Sequence, residues 1–278
     1  MFHNFIYTPE HILNNFIARP NYYPLRRLFW KVWYNLFASN FSKINITFIN
    51  YGYADLEENA KQLELSGYEE EERYCIQLYH HVANAISLAG LDVLEVGCGR
   101  GGGSSYMMRY LHPKTMTGVD FSESNITFCQ NKHSIPQLNF QLGDAEFLQF
   151  NDYSFDVLIN VESSHCYGSR KRFFAEAFRV IRTNGYFLFA DFRPKDEIDK
   201  TTQLLKESGF KILKLKNITA NVIKAMDLEN ERKLAIINQY LPKYLHIVAN
   251  WFAGCQGTPM YEAFMKGDQE YLCYVLKK

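Results

Sequence analysis

Apolar and polar positions along the chain follow two regimes. In residues 1–50, Phe29, Trp30, Trp33, Tyr34, Phe37 and Phe41 recur at spacings of three and four, the period of one helix face. Pro20 and Pro24 interrupt the chain before that stripe. This segment reads as helical pieces and turns lying on an apolar surface. From residue 91 the pattern becomes an alternation of strands and helices. Apolar runs at 91–96, 115–119, 138–142, 155–161, 186–190, 211–215 and 270–276 predict seven strands. Helices are predicted over 103–111, from the N-cap Ser122, over 170–182 and over 197–207, with Asn184-Gly185 as a turn before the fifth strand. Repeated strand–helix units imply an α/β fold, a parallel sheet with helices on both faces. Residues 218–268 break the rhythm with helical periodicity and read as a helical cap inserted before the last strand. The organisation expected is therefore an N-terminal aromatic helical lid at 1–53, a core at 54–217, the cap at 218–268 and the final core strand at 269–278.

Composition sharpens this picture in two places. The 278 residues carry 30 Lys+Arg against 30 Asp+Glu, a net charge of zero, which argues against a dedicated nucleic-acid binder. The balance is not local: residues 1–50 hold five basic groups and one acid, and residues 54–72 hold eight acids and one base. Of the 44 aromatic residues, 15 lie in 1–53 and six in 218–268, so those two segments are expected to enclose an apolar, partly closed pocket for a hydrophobic small molecule. For residues 1–50, packing on the sheet and peripheral contact with a membrane both remain open. No run of about 18 apolar residues marks a spanning helix. The six cysteines are irregularly spaced with no C-x-x-C pair, and the first ten residues lack the basic start and apolar stretch of a signal peptide; a reducing cytoplasm is the expected compartment. His80 and His81 are adjacent and point in different directions on a helix, so no metal site is expected there. Glu69-Glu70-Glu71-Glu72 reads as the solvated first turn of a helix.

The chemical signal lies at the strand ends. Val93–Val96 is an apolar strand running into Gly97-Cys98-Gly99-Arg100-Gly101-Gly102-Gly103 and then a helix. Glycines there let the backbone approach a ligand and adopt positive φ, at the edge of the sheet where open α/β folds bind ligands. Asp120 ends the second strand, where a carboxylate accepts from both hydroxyls of a ribose. Gly143-Asp144-Ala145 ends the third, with Asp144 placed to accept from an adenine amine and the Ala145 amide to donate to a ring nitrogen. Gly97, Gly99 and Gly102 also satisfy G-x-G-x-x-G, so a dinucleotide and S-adenosylmethionine are both open. The second adenine reader, the single nucleotide-binding half and the antiparallel edge expected of the last two strands favour S-adenosylmethionine.

These residues together resemble the class I S-adenosylmethionine-dependent methyltransferases, over about 75–217 and the last strand. The resemblance implies a Rossmann-like seven-stranded sheet, with Glu95-x-Gly97-x-Gly99-x-Gly101 as the first motif, Asp120 on the ribose and Asp144-Ala145 on adenine. Cys98, Phe121, Asn160 and Val161 are expected beside the cofactor on the same basis. Asn50-Tyr51-Gly52-Tyr53, Asn160-Val161-Glu162-Ser163-Ser164-His165-Cys166-Tyr167 and Ala190-Asp191-Phe192-Arg193 narrow the resemblance to the phthiotriol/phenolphthiotriol dimycocerosate methyltransferases, which O-methylate a hydroxyl on a long polyketide lipid. Tocopherol and sterol methyltransferases are more distant. In these families the Tyr51-Gly52-Tyr53 stretch folds over the cofactor, and the aromatic faces also suit a sulfonium cation.

An alcohol is a weak nucleophile while protonated and gains from a general base. His165, just past the fourth strand, is the candidate base, its imidazole being suited to proton transfer near neutral pH. Glu162 and Asp191, at the ends of the fourth and fifth strands, are expected to orient it or act themselves, and His246 in the cap is a further candidate. The expected activity is O-methylation of a hydroxyl on a polyketide- or lipid-like molecule. C- or N-methylation, and a protein that holds S-adenosylmethionine and a lipid without turnover, are the alternatives.

Overall fold

The computed structural model describes residues 46–57, 60 and 62–278. The aromatic stripe at 29–41 and the membrane-contact expectation for 1–50 fall almost entirely outside them. The seven strands are β1 (Asp92–Val96), β2 (Thr115–Asp120), β3 (Leu138–Leu142), β4 (Phe155–Val161), β5 (Ile181–Pro194), β6 (Lys211–Asn217) and β7 (Gln269–Lys277). The helices are α1 (Arg73–Ala83), α2 (Gly102–Tyr110), α3 (Glu123–Lys132), α4 (Arg170–Val180), α5 (Ile198–Glu207), α6 (Thr219–Tyr240), α7 (His246–Phe252) and α8 (Pro259–Met265). Four helices start at caps the sequence marks or nearly marks: the Ser122, Ser169 and Thr258 hydroxyls accept from backbone amides in the first turns of α3, α4 and α8, and Gly101, at φ +78°, caps α2.

The sheet order is β3-β2-β1-β4-β5-β7-β6. Strands β1 to β5 pair in parallel, and β7 runs antiparallel between β5 and β6. The chain winds outward from β1 to β3 and then crosses back to β4 on the other side of β1. That reversal opens a crevice at the carboxyl ends of β1 and β4, where ligands bind in such sheets.

Alternation along each central strand divides the core in two. Val93, Val157, Ile159, Val161, Leu188, Ala190 and Phe192 face one side with α1, α2 and the first turns of α6. Leu94, Val96, Leu158, Phe187 and Phe189 face the other, against Phe173, Phe174 and Leu205 of α4 and α5. Both faces are covered, which is why these strands read as near-continuous apolar runs.

Two expectations need correction. The Asn184-Gly185 turn is absorbed into β5 as a bulge: Phe155 pairs with Ile181 and Val157 with Tyr186, and Asn184 takes φ +67° within the extra residues. The acidic run is not a solvated turn throughout. Glu69 is buried and accepts from the Ser66 amide and the Tyr110 hydroxyl, and Glu72 accepts from the Thr47 and Phe48 amides. Glu72 thereby ties residues 46–53 down as a strap across the crevice, with Phe48, Tyr51 and Tyr53 packed into the core.

Candidate active site

The crevice starts at the end of β1. Gly97 takes φ +77°, and a Cβ there would lie 2.3 Å from Ser163 Oγ. The amides of Gly97 and Cys98 both donate to Val119 O of β2, at 2.7 and 3.0 Å, which folds the turn back against the sheet. Asp120 fixes its far side: Oδ2 accepts from Gly99 N and Oδ1 from Ser122 N, each at 2.9 Å. Burial raises the Asp120 pKa, and those amides partly offset it. Beneath the turn, Glu95 is fully buried, accepts from Tyr79 Oη at 2.6 Å and pairs with the Ser104 hydroxyl. Burial pushes its carboxyl up to about 7.

These elements bound a cleft of about 1090 Å³. Gly97, Cys98 and Gly99 form its floor, Asp120 and Phe121 one wall, and Asp144 and Ala145 the end beyond β3. The turn is a cradle that a side chain at Gly97 would fill, and carboxylates stand at two successive strand ends around it. That donor and acceptor set fits S-adenosylmethionine, with its cationic sulfonium, its ribose hydroxyls and its adenine ring.

A second cavity, of about 1070 Å³, adjoins the first. Phe48, Ile49, Arg100, Asn125 and Glu162 line both. Its own walls are mostly apolar: Ile46 and Tyr51 from the strap, Phe192 from β5, and Ile236, Ile237, Ala249 and Phe252 from the cap helices. Glu162 stands where the two spaces meet, held at φ +48° just past β4. Its Oε2 accepts from Tyr51 N at 3.0 Å and from Tyr271 Oη at 3.1 Å. Burial lifts its pKa to about 7.

His165 sits in the 3₁₀ turn Ser164–Cys166 and lines the second cavity. Its Nδ1 lies 2.9 Å from Asp191 Oδ1, and its backbone amide donates to Asp191 Oδ2 at 3.0 Å. Ser164 Oγ also donates to Oδ2, at 2.7 Å, and Arg193 Nη1 stands 3.1 Å from it. Burial alone would raise the Asp191 carboxyl, but Arg193 and His165 hold it well below the usual carboxylate range. Burial likewise opposes an imidazolium at His165, and Cys166 and Asp191 override it, lifting its pKa to about 10.

A family model described as "Methyltransferase domain" matches residues 94–189, the span from β1 through β5 that builds the first cleft. The chain is 39% identical over 249 residues to the phthiotriol/phenolphthiotriol dimycocerosates methyltransferase of Mycobacterium tuberculosis, covering 90% of this chain and 92% of that one. The chain belongs to this methyltransferase family. The fatty-acid O-methyltransferase of Mycolicibacterium smegmatis is 36% identical over 234 residues, 84% of each chain. In fold, the methyltransferase is similar to the geranyl diphosphate C-methyltransferase of Streptomyces coelicolor solved with S-adenosyl-L-homocysteine, with a TM-score of 0.62 at 15% identity, over 88% of this chain and 97% of that one. The cofactor of the methyltransferase is S-adenosylmethionine.

Of the residues singled out for the cofactor, Gly97, Cys98, Gly99, Asp120, Phe121, Asp144, Ala145 and Val161 line the first cleft. Glu95, Gly101 and Asn160 do not. Glu95 braces the turn from below, and Gly101 caps α2 with its hydrogens against Phe140 and Cys129. Asn160 donates from β4 to Val96 O at 2.8 Å and to Ser163 Oγ at 2.7 Å, tying β4 to the glycine turn. The strap is shifted from expectation. Tyr51 faces the second cavity, and Gly52 faces neither: at φ +89° it packs between Tyr74 and Ala225. Tyr53 stacks on His81 at 4.2 Å, while His80 Nδ1 lies 2.8 Å from Tyr106 Oη. Thr47, Phe48 and Ile49 cover the cofactor cleft instead. The apolar alternation of 46–49 before Asn50 was the available signal for this, masked by the stronger Tyr-Gly-Tyr motif. Arg232, Lys233 and Ile236 are further residues of the second cavity that local pattern did not single out. His246 lies outside it, its Nε2 2.9 Å from Leu241 O.

Proposed function

We propose that the methyltransferase O-methylates a hydroxyl on a hydrophobic, lipid- or polyketide-like acceptor, held in the second cavity between strap and cap. The single observation that carries this reading is the contact of the two cavities at Glu162, with the His165–Asp191 pair in the apolar one. The names of the relatives support it: one is a fatty-acid O-methyltransferase and the others act on phthiotriol and phenolphthiotriol dimycocerosates.

Bound S-adenosylmethionine supplies a methyl group already activated on a sulfonium, so the protein contributes position, dryness and a proton acceptor. Gly97 and Gly99 would bring backbone against it, with Asp120 on the ribose and Asp144 and Ala145 on adenine. Phe48 and Ile49 of the strap lie against both spaces, an apolar edge to the junction. Asp191 holds the His165 ring through Nδ1, so the acceptor proton is taken at Nε2. An imidazole with a pKa of about 10 is a strong base but is mostly protonated at neutral pH. The rate therefore rises as pH climbs from 7 toward 10.

Glu162 is the second reading for the base, because it is the carboxylate that lines both cavities and its pKa is about 7. A pH profile of kcat separates the two. A limb that levels near 10 and vanishes in His165→Ala assigns His165, and a limb that levels near 7 and vanishes in Glu162→Gln assigns Glu162. Transfer from labelled methyl donor, with the product's methyl located by mass spectrometry, tests the bond formed. A C- or N-methyl product rejects O-methylation, and cofactor binding with no product from hydroxylated lipids favours a non-catalytic binder.

A further inference from the structure

The acceptor cavity contains one charge that its surroundings do not match. Most charged groups on its wall are satisfied by the protein. Arg232 pairs with Glu229, with Nε 2.7 Å from Oε2; Arg100 donates from Nε to Ile46 O at 2.6 Å and lies over the Phe128 ring at 3.6 Å; His165 is on Asp191; Glu162 accepts two hydrogen bonds. Lys233, one residue along α6, differs. Its Nζ donates to a single carbonyl, Ala253 O, at 3.2 Å, and lies 5.7 Å from the centre of the Tyr51 ring. No carboxylate stands within salt-bridge distance of it among the described residues. A half-buried ammonium beside an apolar space, with hydrogens left over, costs free energy unless an acceptor meets it.

Lys233 also stands away from the reacting end. A row of rings separates them: His165 to Phe192 at 4.4 Å, Phe192 to Tyr51 at 5.5 Å, then Tyr51 to Lys233. The cavity thus has a proton-accepting pole, an apolar aromatic middle and a cationic pole.

We infer that the acceptor is an anionic amphiphile, and that Lys233 binds its acid group while the oxygen to be methylated lies at His165. This rests on the O-methylation reading for the location of the reacting end. The acid group is a carboxylate or a phosphate ester at the far end of an apolar chain, since either accepts charge-assisted hydrogen bonds from an ammonium. Lys233 is a specificity-determining residue under this inference, with no part in the proton transfer.

The test is calorimetric titration of the full chain, loaded with S-adenosylhomocysteine, with decanoate, decyl phosphate and decanol. Because it reads binding, it is independent of turnover. The wild type is expected to bind the two anions at least about tenfold more tightly than the alcohol, the discrimination one charge-assisted hydrogen bond provides. Lys233→Met should abolish that preference, and Lys233→Arg should restore it. Wild-type affinity for S-adenosylhomocysteine, in the cleft that Lys233 does not line, shows that the variant is folded. Preference for only one anion identifies which acid the site takes and supports the inference. Equal binding of anions and alcohol by the wild type overturns it. So does a preference that survives Lys233→Met and disappears in His165→Gln, which would put the acid at the reacting end. If no decyl chain binds at all, the cavity is not the acceptor site, and the O-methylation reading loses its pocket together with this inference.

Discussion

The two cavities share a wall but are built by different means. The cofactor cleft is made largely of strand ends and the turns that follow them. Its floor is the backbone of Gly97–Gly99, and its two reading carboxylates, Asp120 and Asp144, come at the ends of consecutive strands. The second cavity is made of side chains drawn from eight separated places: 46–51, Cys75, Arg100, Asn125, 162–165, Phe192, 232–237 and 249–253. One site is fixed by the topology of a parallel sheet, so any sequence that makes the sheet and keeps the glycines makes the site. The other depends on how a strap and a cap happen to pack, and substrate choice can change there without disturbing the first.

That contrast can be broken experimentally. The largest effect is expected from His165→Ala, which should lower kcat by about 10²–10⁴-fold, the usual contribution of a general base. Cofactor affinity should stay within about twofold, as for independent sites. A parallel loss in cofactor binding would show that the two cavities are one coupled site. Gly97→Ala is the converse. A side chain at φ +77° with its Cβ 2.3 Å from Ser163 Oγ combines backbone strain with overpacking. Cofactor affinity should fall about 100-fold, while decanol binding in the acceptor cavity persists. Wild-type cofactor affinity in this variant would mean that the turn yields and is not a fixed cradle.

Smaller changes sharpen the comparison. Ile236→Ala, on the cap wall, should raise the acceptor KM about tenfold through lost apolar contact and leave cofactor affinity alone. An unchanged KM across a series of acceptors would remove the cap from recognition. Glu95→Gln tests the support beneath the cofactor turn. The folded pKa of Glu95 is raised to about 7, whereas the unfolded carboxyl ionises at about 4.3. The unfolded state therefore releases this proton first. The stability it contributes is fully present below about pH 4 and is lost as pH rises through 7. Glu95→Gln removes that dependence, so the variant should gain on the wild type between pH 5 and pH 8 by at most about 3 kcal/mol, or several degrees in melting temperature. A gap that does not vary with pH would mean that Glu95 is ionised in the fold.

Legibility followed the same division. The central strands β1, β4 and β5 could be read because both of their faces are buried and each contains an apolar run, whereas β6, exposed along nearly all of its length, was legible from its place after Gly209. Gly97, Asp120 and Asp144, which line the first cleft, were legible because each stands at a strand end. Asn184-Gly185 misled because a turn signal and a β-bulge draw on the same residues, and only pairing with Phe155 and Val157 distinguishes them. The acidic run misled for a related reason. Its composition says solvent, but Glu69 is buried beside Tyr110 and the half-buried Glu72 is held by Thr47, partners distant in sequence. Tyr51-Gly52-Tyr53 reads as one unit over the cofactor, yet its three residues go to three different places.

The sequence by itself determined the α/β class, the glycine turn with its two carboxylates, and hence the methyltransferase chemistry of the first cleft. These follow from local periodicity and from backbone conformations that only a few residue types adopt. Tertiary structure alone decided that Asp191 would hold His165, that Glu162 would stand between the cavities, and that Glu95 would lie under the turn rather than in it. It also set Lys233 across a row of rings from the reacting end. Those relations join residues as many as 182 positions apart, as Lys233 and Tyr51 are. Their distances are set by packing of the strap and cap against the sheet, and no short-range pattern in the chain encodes them.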